Sequence, residues 1–429
     1  AYDANGNMTL ERTTGADGAV IERKWEYHPV FNRPTKFTDE EGHDTTWEID
    51  GLTGDLKSMT NAVGDKTSYV YDPATRLLAS ETDARGVVTN YENNATVGMW
   101  KTRTIAPYKT GEPIVAVRQI DARGRVLRET DGLGAEVVRS FDGLDRVVSE
   151  TRRARMSGST IPAPADPSDE TVVTTYTRAG RVRTVRNAMG GVTTNEYDGM
   201  GRLIASTTPV QGARTAQTLS TAILYDGNGN IVRTTDARGV TRESDYDALD
   251  RLTEARIISG PGAGPVGVVA RATYRGDTDL KETETDIAGN TTTFVYDGLL
   301  RLKQRISPVA DYAESFSYDR RGNVTTATDA NGVVTATDYD GLGRVTKVTI
   351  DRGGPTESFV ETRYEEASPV SHVFKTEEYD SRAKLRVRYA HDAVGREVAR
   401  AQLLEGDGSL EAVAGSAGNA AEVGANGAA

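Results

Sequence analysis

One short phrase, written many times along the chain, constrains the fold more than any other feature. The phrase runs Tyr, Asp, two variable residues, Gly, Arg or Asn, and an aliphatic residue. Neighbouring copies stand 21 residues apart from Tyr225 to Tyr246 and 22 apart from Tyr296 to Tyr318. Clear copies begin at Tyr71-Asp72, Tyr197-Asp198, Tyr225-Asp226, Tyr246-Asp247, Tyr296-Asp297, Tyr318-Asp319 and Tyr339-Asp340. Such self-similarity indicates a repeat architecture, in which each unit packs on its neighbours.

A second phrase lies roughly midway between these copies, as in Thr82-Asp83-Ala-Arg-Gly86 and Thr235-Asp236-Ala-Arg-Gly239. In both phrases an Asp or Asn can cap its own backbone and the later Gly accepts positive φ, which predicts a tight turn. We call the two kinds the Tyr-Asp turns and the midway turns. The segments between them are rich in Thr, Val, Ile and Tyr, which favour strands. The sequence therefore predicts an all-β chain, a continuous curling antiparallel sheet with two strands per repeat.

Composition limits what such a sheet can be. Only 37% of the 429 residues are hydrophobic, so neither strand face is strongly apolar. A filled barrel or a tight sandwich needs a cleaner alternation of large hydrophobic residues. The weaker pattern predicts a sheet wetted on both faces or one that encloses a polar cavity.

Charge and cysteine content exclude several classes of function. The chain has 51 Lys and Arg against 63 Asp and Glu, a formal net charge of -12. This acidic balance argues against binding to nucleic acid or to an anionic membrane. The absence of cysteine excludes a disulfide framework and a thiolate zinc site. No apolar run is long enough to span a bilayer as a helix.

The regular spacing is interrupted in three places. Residues 93–118, 152–170 and 259–267 are predicted to be surface loops inserted at turns. Residues 1–402 are predicted to form the repeat segment, and residues 403–429 a Gly/Ala-rich irregular tail or linker. Because the chain opens inside a repeat, we expect it to be an internal piece of a longer protein.

The residues of the Tyr-Asp turn have predicted structural roles. Each Tyr ring is expected to stack on the equivalent ring of the next repeat, with its hydroxyl in water. The Asp fixes the turn, and the Arg pairs with acidic neighbours along the sheet. Two copies have both the glycine that accepts positive φ and the arginine that follows it. These residues are Gly201 and Arg202 in one copy and Gly343 and Arg344 in the other.

Other motifs are weaker. The segments 3–7 and 226–230 look faintly like calcium loops, but they lack the glutamate that closes such a loop, so turn chemistry explains them better. Residues 262–267 match GxGxxG literally, yet a strand-like run follows where a phosphate site needs a helix. The scattered histidines are His28, His43, His372 and His391. No catalytic constellation is legible, and the sequence predicts no cofactor, no metal site and no enzyme activity.

The alternating phrases Tyr-Asp-x-x-Gly-Arg-Leu and Thr-Asp-x-x-Gly-x-x-Thr resemble the RHS/YD-repeat family over about residues 1–400. The resemblance implies a spiralling β-sheet, solenoid-like or barrel-like, that closes into a hollow shell. Bacterial members, toxin-complex C subunits among them, often enclose a C-terminal toxic domain, and animal teneurins use a related barrel in adhesion. Toxin-carrying members end in an Asp-Pro-x-Gly-Leu-like segment where self-cleavage occurs. The Asp-Pro pairs here, at 72–73 and 166–167, lack that Gly-Leu.

The resemblance therefore predicts shell wall only. The expected function is a non-enzymatic structural segment of a large secreted or surface-exposed bacterial protein that encloses or presents a passenger polypeptide. Its partners would be the remaining repeats and the terminal passenger domain of the same parent chain. The alternative is an adhesive or carbohydrate-binding surface array whose inserted loops bind a cell-surface glycan or protein.

Overall fold

The computed structural model describes residues 1–107, 112–132, 134–153, 169–210, 217–260, 267–308, 312–364, 374–391, 396–404 and 410–413. The chain divides into two compact units. Unit 1 comprises Ala1–Val115 and Val295–Ala429, and unit 2 comprises Ala116–Phe294.

Strands and turns account for the structure, and the described ranges contain no helix. Consecutive strands pair antiparallel along each unit, which confirms the predicted all-β antiparallel fold. The strands are β1 Leu10–Thr14, β2 Val20–Tyr27, β3 Pro34–Thr38, β4 Asp44–Ile49, β5 Leu56–Thr60, β6 Lys66–Tyr71, β7 Leu78–Thr82, β8 Val88–Asn94, β9 Met99–Ile105, β10 Ile114–Ile120, β11 Val126–Thr130, β12 Glu136–Phe141, β13 Val147–Arg153, β14 Glu170–Tyr176, β15 Val182–Arg186, β16 Val192–Tyr197, β17 Leu203–Pro209, β18 Thr218–Tyr225, β19 Ile231–Thr235, β20 Thr241–Tyr246, β21 Leu252–Ser259, β22 Gly267–Tyr274, β23 Lys281–Asp286, β24 Thr291–Tyr296, β25 Leu302–Ile306, β26 Ala313–Tyr318, β27 Val324–Thr328, β28 Val334–Tyr339, β29 Val345–Ile350, β30 Ser358–Arg363, β31 Glu377–Asp380, β32 Leu385–His391, β33 Glu397–Leu404 and β34 Leu410–Val413.

The two kinds of turn share one local geometry. In a Tyr-Asp turn the Gly201 amide donates to the Asp198 carbonyl at 3.0 Å. In a midway turn the Gly239 amide donates to the Asp236 carbonyl at 2.8 Å. Both glycines have positive φ, as the turn chemistry predicts. At these two kinds of turn, the local sequence therefore specifies the reversal of the chain.

A β-bulge distinguishes the Tyr-Asp turns from the midway turns. Tyr197 lies opposite Leu203 whereas Glu196 lies opposite Ala205, so one residue of the partner strand is skipped. The midway turn between β19 and β20 shows no such shift. A bulge bends its strand and increases the local twist. Because the bulge recurs at the Tyr-Asp turns, it acts repeatedly at the same end of the strands, and a repeated bulge of this kind can make a sheet curl.

Buried hydrophobic side chains are sparse among the described residues. In unit 1 the fully buried Val87 and Ile105 pack together with Ile114. In unit 2 the buried aliphatic residues include Ala116 and Val240. Most strand residues are only partly covered, in agreement with the weak alternation of the sequence. The strands are therefore held chiefly by backbone hydrogen bonds and cross-strand pairs rather than by a thick core.

The first predicted inserted loop is mostly strand. Residues 93–118 contain β9 and most of β10, because the turn persists without the Tyr-Asp pair. Asn94 takes the place of Asp: its carbonyl accepts from the Gly98 amide at 2.9 Å and its Oδ1 from the Thr96 amide at 3.0 Å. The expectation of a surface loop over this whole interval was wrong.

The other two predicted loops and the predicted tail lie largely outside the described residues. Only the strand ends at 152–153, 169–170, 259–260 and 267 are described for the loops. The repeat segment ends in β33 and is followed by the short β34. The proposed division near residue 402 stays a prediction. Within the described ranges no helix is long and apolar enough to cross a membrane.

Candidate functional site: a ladder of Tyr-Asp turns

The aspartate of each Tyr-Asp turn organises the turn through its carboxylate. Asp198 Oδ1 accepts hydrogen bonds from the backbone amides of Met200 and Arg202, each at 2.9 Å. These bonds, with the side-chain bond from Arg202, hold the pKa of Asp198 below its ordinary value of 3.8. These bonds are the ones that the predicted role of the Asp, to fix the turn, requires.

The residue three positions after the Asp occupies the left-handed region. Gly201 has φ +79° and Gly343 has φ +77°. Asp250 and Leu300 take this position in two repeats, with φ +60° and +64°. Asp250 gains compensation, because its carboxylate accepts from the side-chain amides of two asparagines in the preceding Tyr-Asp turn, at 228 and 230. A branched side chain such as Leu300 is strained at positive φ.

Several arginines link their own turn to the next one. Arg251 Nε donates to Asp247 Oδ2 at 2.7 Å. Its Nη1 donates to the Gly276 and Thr278 carbonyls of the following turn, at 2.7 and 2.6 Å. Its guanidinium lies 4.7 Å from the centre of the Tyr274 ring. The expected ion pairs along the sheet were therefore wrong for this arginine, whose acidic partner is the aspartate of its own turn.

The same arrangement recurs along both units. Arg202 pairs with Asp198 at 2.7 Å and stacks on the Tyr225 ring at 4.5 Å. The further examples are Arg146 with Asp142 and Tyr176, Arg301 with Asp297 and Tyr318, and Arg344 with Asp340 and Tyr364. A planar guanidinium suits this combination of a carboxylate, a carbonyl and a ring face. The result is a ladder of Tyr-Asp turns in fixed register.

An arginine lies on the ring face where stacking on the equivalent tyrosine was predicted, at Tyr176, Tyr225, Tyr274, Tyr318 and Tyr364. Among the described ring contacts, the motif tyrosines meet arginines, because the arginine of the preceding turn covers the ring face. The hydroxyls are also engaged: each donates to a backbone carbonyl of the preceding repeat. These pairs are Tyr197 with Val182, Tyr225 with Leu203, Tyr246 with Ile231, Tyr318 with Leu302 and Tyr339 with Val324, at 2.6–3.0 Å. Ring and hydroxyl together fix each repeat against the one before it.

The remaining predicted residues occupy equivalent places. Tyr71 ends β6 at a bulge, and Asp72 Oδ1 accepts from the amides of Ala74 and Thr75 at 3.0 and 2.7 Å. Tyr296 ends β24. Asp319 Oδ1 accepts from the Asn323 amide at 2.8 Å. The copy that begins at Tyr71 therefore forms the same kind of turn, between β6 and β7 of unit 1.

The calcium-like segments are turns of the same kind. Asp226 Oδ1 accepts backbone amides, and its Oδ2 accepts from Asn230 Nδ2 at 3.0 Å. Asp3 engages Asn7 in the same way at 2.9 Å. Both oxygens of each carboxylate serve the turn, which confirms the interpretation as turn chemistry. In the described part of the chain, no group of three or more His, Cys, Asp and Glu could hold a metal ion.

A second set of contacts, not foreseen from the sequence, joins turns about 280 residues apart within unit 1. The Ala16 amide donates to the Gly298 carbonyl at 3.0 Å. The Arg320 amide donates to Glu41 Oε1 at 2.6 Å, across 279 positions. We call this set the seam: the midway turns of residues 15–63 against the Tyr-Asp turns of residues 297–341. Later repeats thus lie edge to edge with earlier ones.

Arg321 adds a charged link to the seam. Its Nη2 contacts the Asp39 carboxylate and lies 2.7 Å from His43 Nδ1, and it donates to the Gly341 carbonyl at 2.7 Å. Burial acts to raise the pKa of Asp39, but the His43 amide and Arg321 outweigh it, so that pKa is lowered. The only sequence signal was Arg320-Arg321 in the place where three of the seven clear copies have Gly followed by an aliphatic residue.

A polar cleft of about 720 Å³ lies at the end of the seam that contains residue 63. Val63 of a midway turn lines it together with Asp340, Lys347, Glu361 and Tyr364. The lining carries charges of both signs, and among the described residues neither a nucleophile with its base nor a metal-ligand set faces the cleft. Its walls belong to the ladder and the seam.

Together the ladder and the seam define a class of protein: a long antiparallel β-repeat array whose turns set its register. The family model described as RHS Repeat matches residues 52–88, 176–213, 225–257 and 318–356. The chain carries RHS repeats, which confirms the resemblance drawn from its motifs. A search of curated protein sequences gave no match.

Solved structures share the fold. The crystal structure of TcdB2-TccC3-TEV matches with a TM-score of 0.62 and 15% identity over 94% of this chain and 25% of that chain. A Photorhabdus luminescens Tc holotoxin pore with a TccC3 mutation gives 0.61 and 15% over 94% and 24%. TcdB2-TccC3-Cdc42 gives 0.61 and 15% over 97% and 26%. The chain spans about a quarter of the length of these chains, and at this identity the likeness establishes the fold.

Proposed function

We propose that this chain is a non-enzymatic wall segment of an RHS shell. One observation carries the proposal: in unit 1 the repeats at 297–341 dock edge to edge on the repeats at 15–63. A sheet that is paired along its strands and also docked along its turns leaves few unpaired edges, as a wall requires. The sparse apolar burial supports a wall that is wetted on its faces rather than a solid core.

The content of the shell is proposed to be a passenger polypeptide belonging to the same parent chain. Two similar crystal structures, TcdB2-TccC3-TEV and TcdB2-TccC3-Cdc42, name TEV or Cdc42 as a further component beside this fold. By analogy, the ladder and seam would hold a closed surface around a passenger while the turns carry no chemistry of their own. A secreted or cell-surface location fits this role.

Protease protection in the parent protein tests the proposal. The passenger of the intact parent should be digested much more slowly than the same passenger made alone. Cryo-electron microscopy of that parent should show density inside the repeat wall. A passenger that is cleaved equally fast in both forms, with an empty interior, would refute enclosure and leave only a scaffold.

The adhesive alternative gains no support from the described residues. Two of its three proposed binding loops, at 152–170 and 259–267, lie largely outside them, and most of 93–118 is strand. A glycan array probed with the intact chain would still give this alternative a direct test.

A further inference from the structure

One histidine takes part in the seam of unit 1. His43, in the midway turn between β3 and β4, brings its ring nitrogen Nδ1 to 2.7 Å from Arg321 Nη2 of the opposite Tyr-Asp turn. The two residues are 278 positions apart in the chain. The His43 side chain is 41% exposed, so protons can reach it from water without the seam having to open first.

The chemistry of the two groups fixes the state of the ring at this contact. A guanidinium only donates hydrogen bonds, so the nitrogen that faces Nη2 must accept, and Nδ1 must carry no proton. The same Nη2 contacts the Asp39 carboxylate and donates to the Gly341 carbonyl at 2.7 Å. The observed arrangement of the seam is therefore the one that a neutral His43 permits.

Charged groups of both signs surround His43. They are Asp39, Glu40 and Glu41 of its own turn, Asp44 just after it, and Asp319, Arg320 and Arg321 of the opposite turn. Several are engaged elsewhere, in the pairs Glu40 with Arg23, Glu41 with the Arg320 amide, Asp44 with Lys36 and Asp319 with Asn323. Among the described residues, Asp39 is the carboxylate within ion-pairing distance of the ring, with Oδ1 3.4 Å from Nδ1.

A proton on Nδ1 would change the partners within this cluster. It removes the acceptor that faces Arg321 and sets two cations 2.7 Å apart, while Asp39 becomes the partner of the new charge. Asp39 is only 11% exposed, and a carboxylate so covered needs a cation beside it. Attraction to Asp39 offsets repulsion from Arg321, so the main change is in which cation Asp39 holds.

We propose that His43 is a proton-controlled release within the seam: when His43 is protonated, Asp39 exchanges Arg321 for His43, and the turn at residues 319–323 loosens from the turn at residues 39–43. Histidine is the side chain whose charge ordinarily changes between about pH 5 and 8. Aspartates, with an ordinary pKa of 3.8, stay ionised over that range. The inference concerns the seam alone and does not rest on an enclosed passenger.

Urea denaturation of the intact chain, followed by the fluorescence of the three tryptophans of unit 1, tests the exchange. Arg321→Ala should lower the urea midpoint at about pH 7.5, and at about pH 5.5 this loss should fall by about half or more, because protonated His43 has already displaced the arginine. In a His43→Gln background the loss should be the same at both pH values, since the glutamine oxygen can accept from Arg321 and does not titrate.

His28→Gln is the matched control. His28 also accepts through Nδ1, but from the Val30 amide of its own turn, at 3.2 Å. Its protonation affects wild type and Arg321→Ala alike, so His28→Gln should leave the pH dependence of the Arg321→Ala loss unchanged.

Hydrogen exchange measures the loosening directly and needs no arginine variant. After correction for the intrinsic effect of pH, the Arg320 amide, which donates to Glu41 across the seam, should lose protection at about pH 5.5 relative to the Gly201 amide of unit 2. His43→Gln should prevent this loss. An Arg321→Ala effect that is equal at both pH values, or a loss of Arg320 protection that persists in His43→Gln, would overturn the proposal.

Discussion

The docked Tyr-Asp turns of unit 1 and the open Tyr-Asp turns of unit 2 have the same interior and different exteriors. Inside, Arg301 binds Asp297 and Arg202 binds Asp198 at the same 2.7 Å. Outside, Gly298 receives another turn, whereas the space around Gly199 is empty. The difference teaches that the local motif builds the turn, while glycine after the aspartate only permits docking, which also requires a second turn opposite it.

The largest effect on stability is expected at Gly298, the glycine of a docked turn. Gly298→Ala places a Cβ 2.6 Å from the Asp17 backbone nitrogen, so the seam must open or shift. We expect a loss of about 3 kcal/mol in the free energy of unfolding, at the upper end for overpacking. Urea denaturation followed by tryptophan fluorescence reports on this change, because all three tryptophans belong to unit 1.

Gly199→Ala is the matched control for the docked glycine. It adds the same methyl group to the same turn position in open space, and the change should stay within about 0.5 kcal/mol. Circular dichroism during urea denaturation reports on both units, so a change confined to unit 2, which has no tryptophan, should appear there and not in the tryptophan fluorescence. Equal losses at Gly298 and Gly199 would show that glycine is needed by the turn itself and would remove the distinction between docked and open turns.

The second prediction compares two arginines. Arg321, which is 14% exposed, holds Asp39 across the seam, whereas Arg202, which is 28% exposed, acts only along its own ladder. Arg321→Ala leaves a nearly buried carboxylate without its cation and should cost about 2 kcal/mol, against about 1 kcal/mol for Arg202→Ala.

Lysine should restore little at either arginine, because it cannot reach a carboxylate and a carbonyl in the same fork geometry. The measurement is the urea midpoint of each single variant, with Arg238→Ala as a control at a 78% exposed side chain. A smaller loss for Arg321→Ala than for Arg202→Ala would show that the seam adds no stability.

Much of the turn could be predicted from the sequence, because its cause is local. Asp198 and Gly201 together predict the turn geometry, and the β-branched residues on each side predict the strands. The predicted stacking of tyrosine on tyrosine was wrong because the repeated phrase shows only the tyrosine and arginine of the same copy. The contact joins the arginine of one copy to the tyrosine of the next.

The seam could not be predicted, since it joins turns about 280 residues apart. No pairing rule links Asp39 to Arg321 in a chain whose repeats all resemble one another. What the sequence did contain was an exception, Arg320-Arg321 in place of Gly and an aliphatic residue. At this turn the departure from the repeat consensus marks the long-range contact, whereas Gly298 and Gly341 meet their partner turns with the ordinary glycine.

The third prediction concerns the left-handed position. Leu300, in a docked turn, has φ +64°, and its apolar side chain forms no hydrogen bond that would offset the strain. Leu300→Gly should therefore stabilise unit 1 by about 1 kcal/mol. Asp250, in an open turn, has φ +60° but accepts from Asn228 and Asn230. Asp250→Gly relieves strain and removes those bonds, so little net change is expected.

The two urea midpoints, measured side by side, test this pair. Gly201→Ala is the reverse control, because it places a Cβ at φ +79° and should destabilise unit 2. A stabilisation by Asp250→Gly as large as that by Leu300→Gly would show that the asparagine bonds contribute nothing to the ladder.

The smallest effects are expected from acid. The pKa of Asp198 is lowered by the Arg202 amide and side chain, and that of Asp226 by the side chain and amide of Asn230. A carboxyl group whose folded pKa is depressed stabilises the fold above its unfolded pKa, and this stability is lost as the pH falls through the folded value. The contribution should therefore be complete at neutral pH and disappear below the ordinary value of 3.8.

Asp198→Asn separates the two parts of that effect. The amide oxygen can still accept the Met200 and Arg202 backbone bonds, while the ion pair with the Arg202 side chain and the titration are both lost. The variant should be slightly less stable than wild type at neutral pH and should converge with it in acid, when both are followed by circular dichroism. Parallel curves at every pH would mean that the carboxylate charge is irrelevant, and that open turns depend on hydrogen-bond geometry alone.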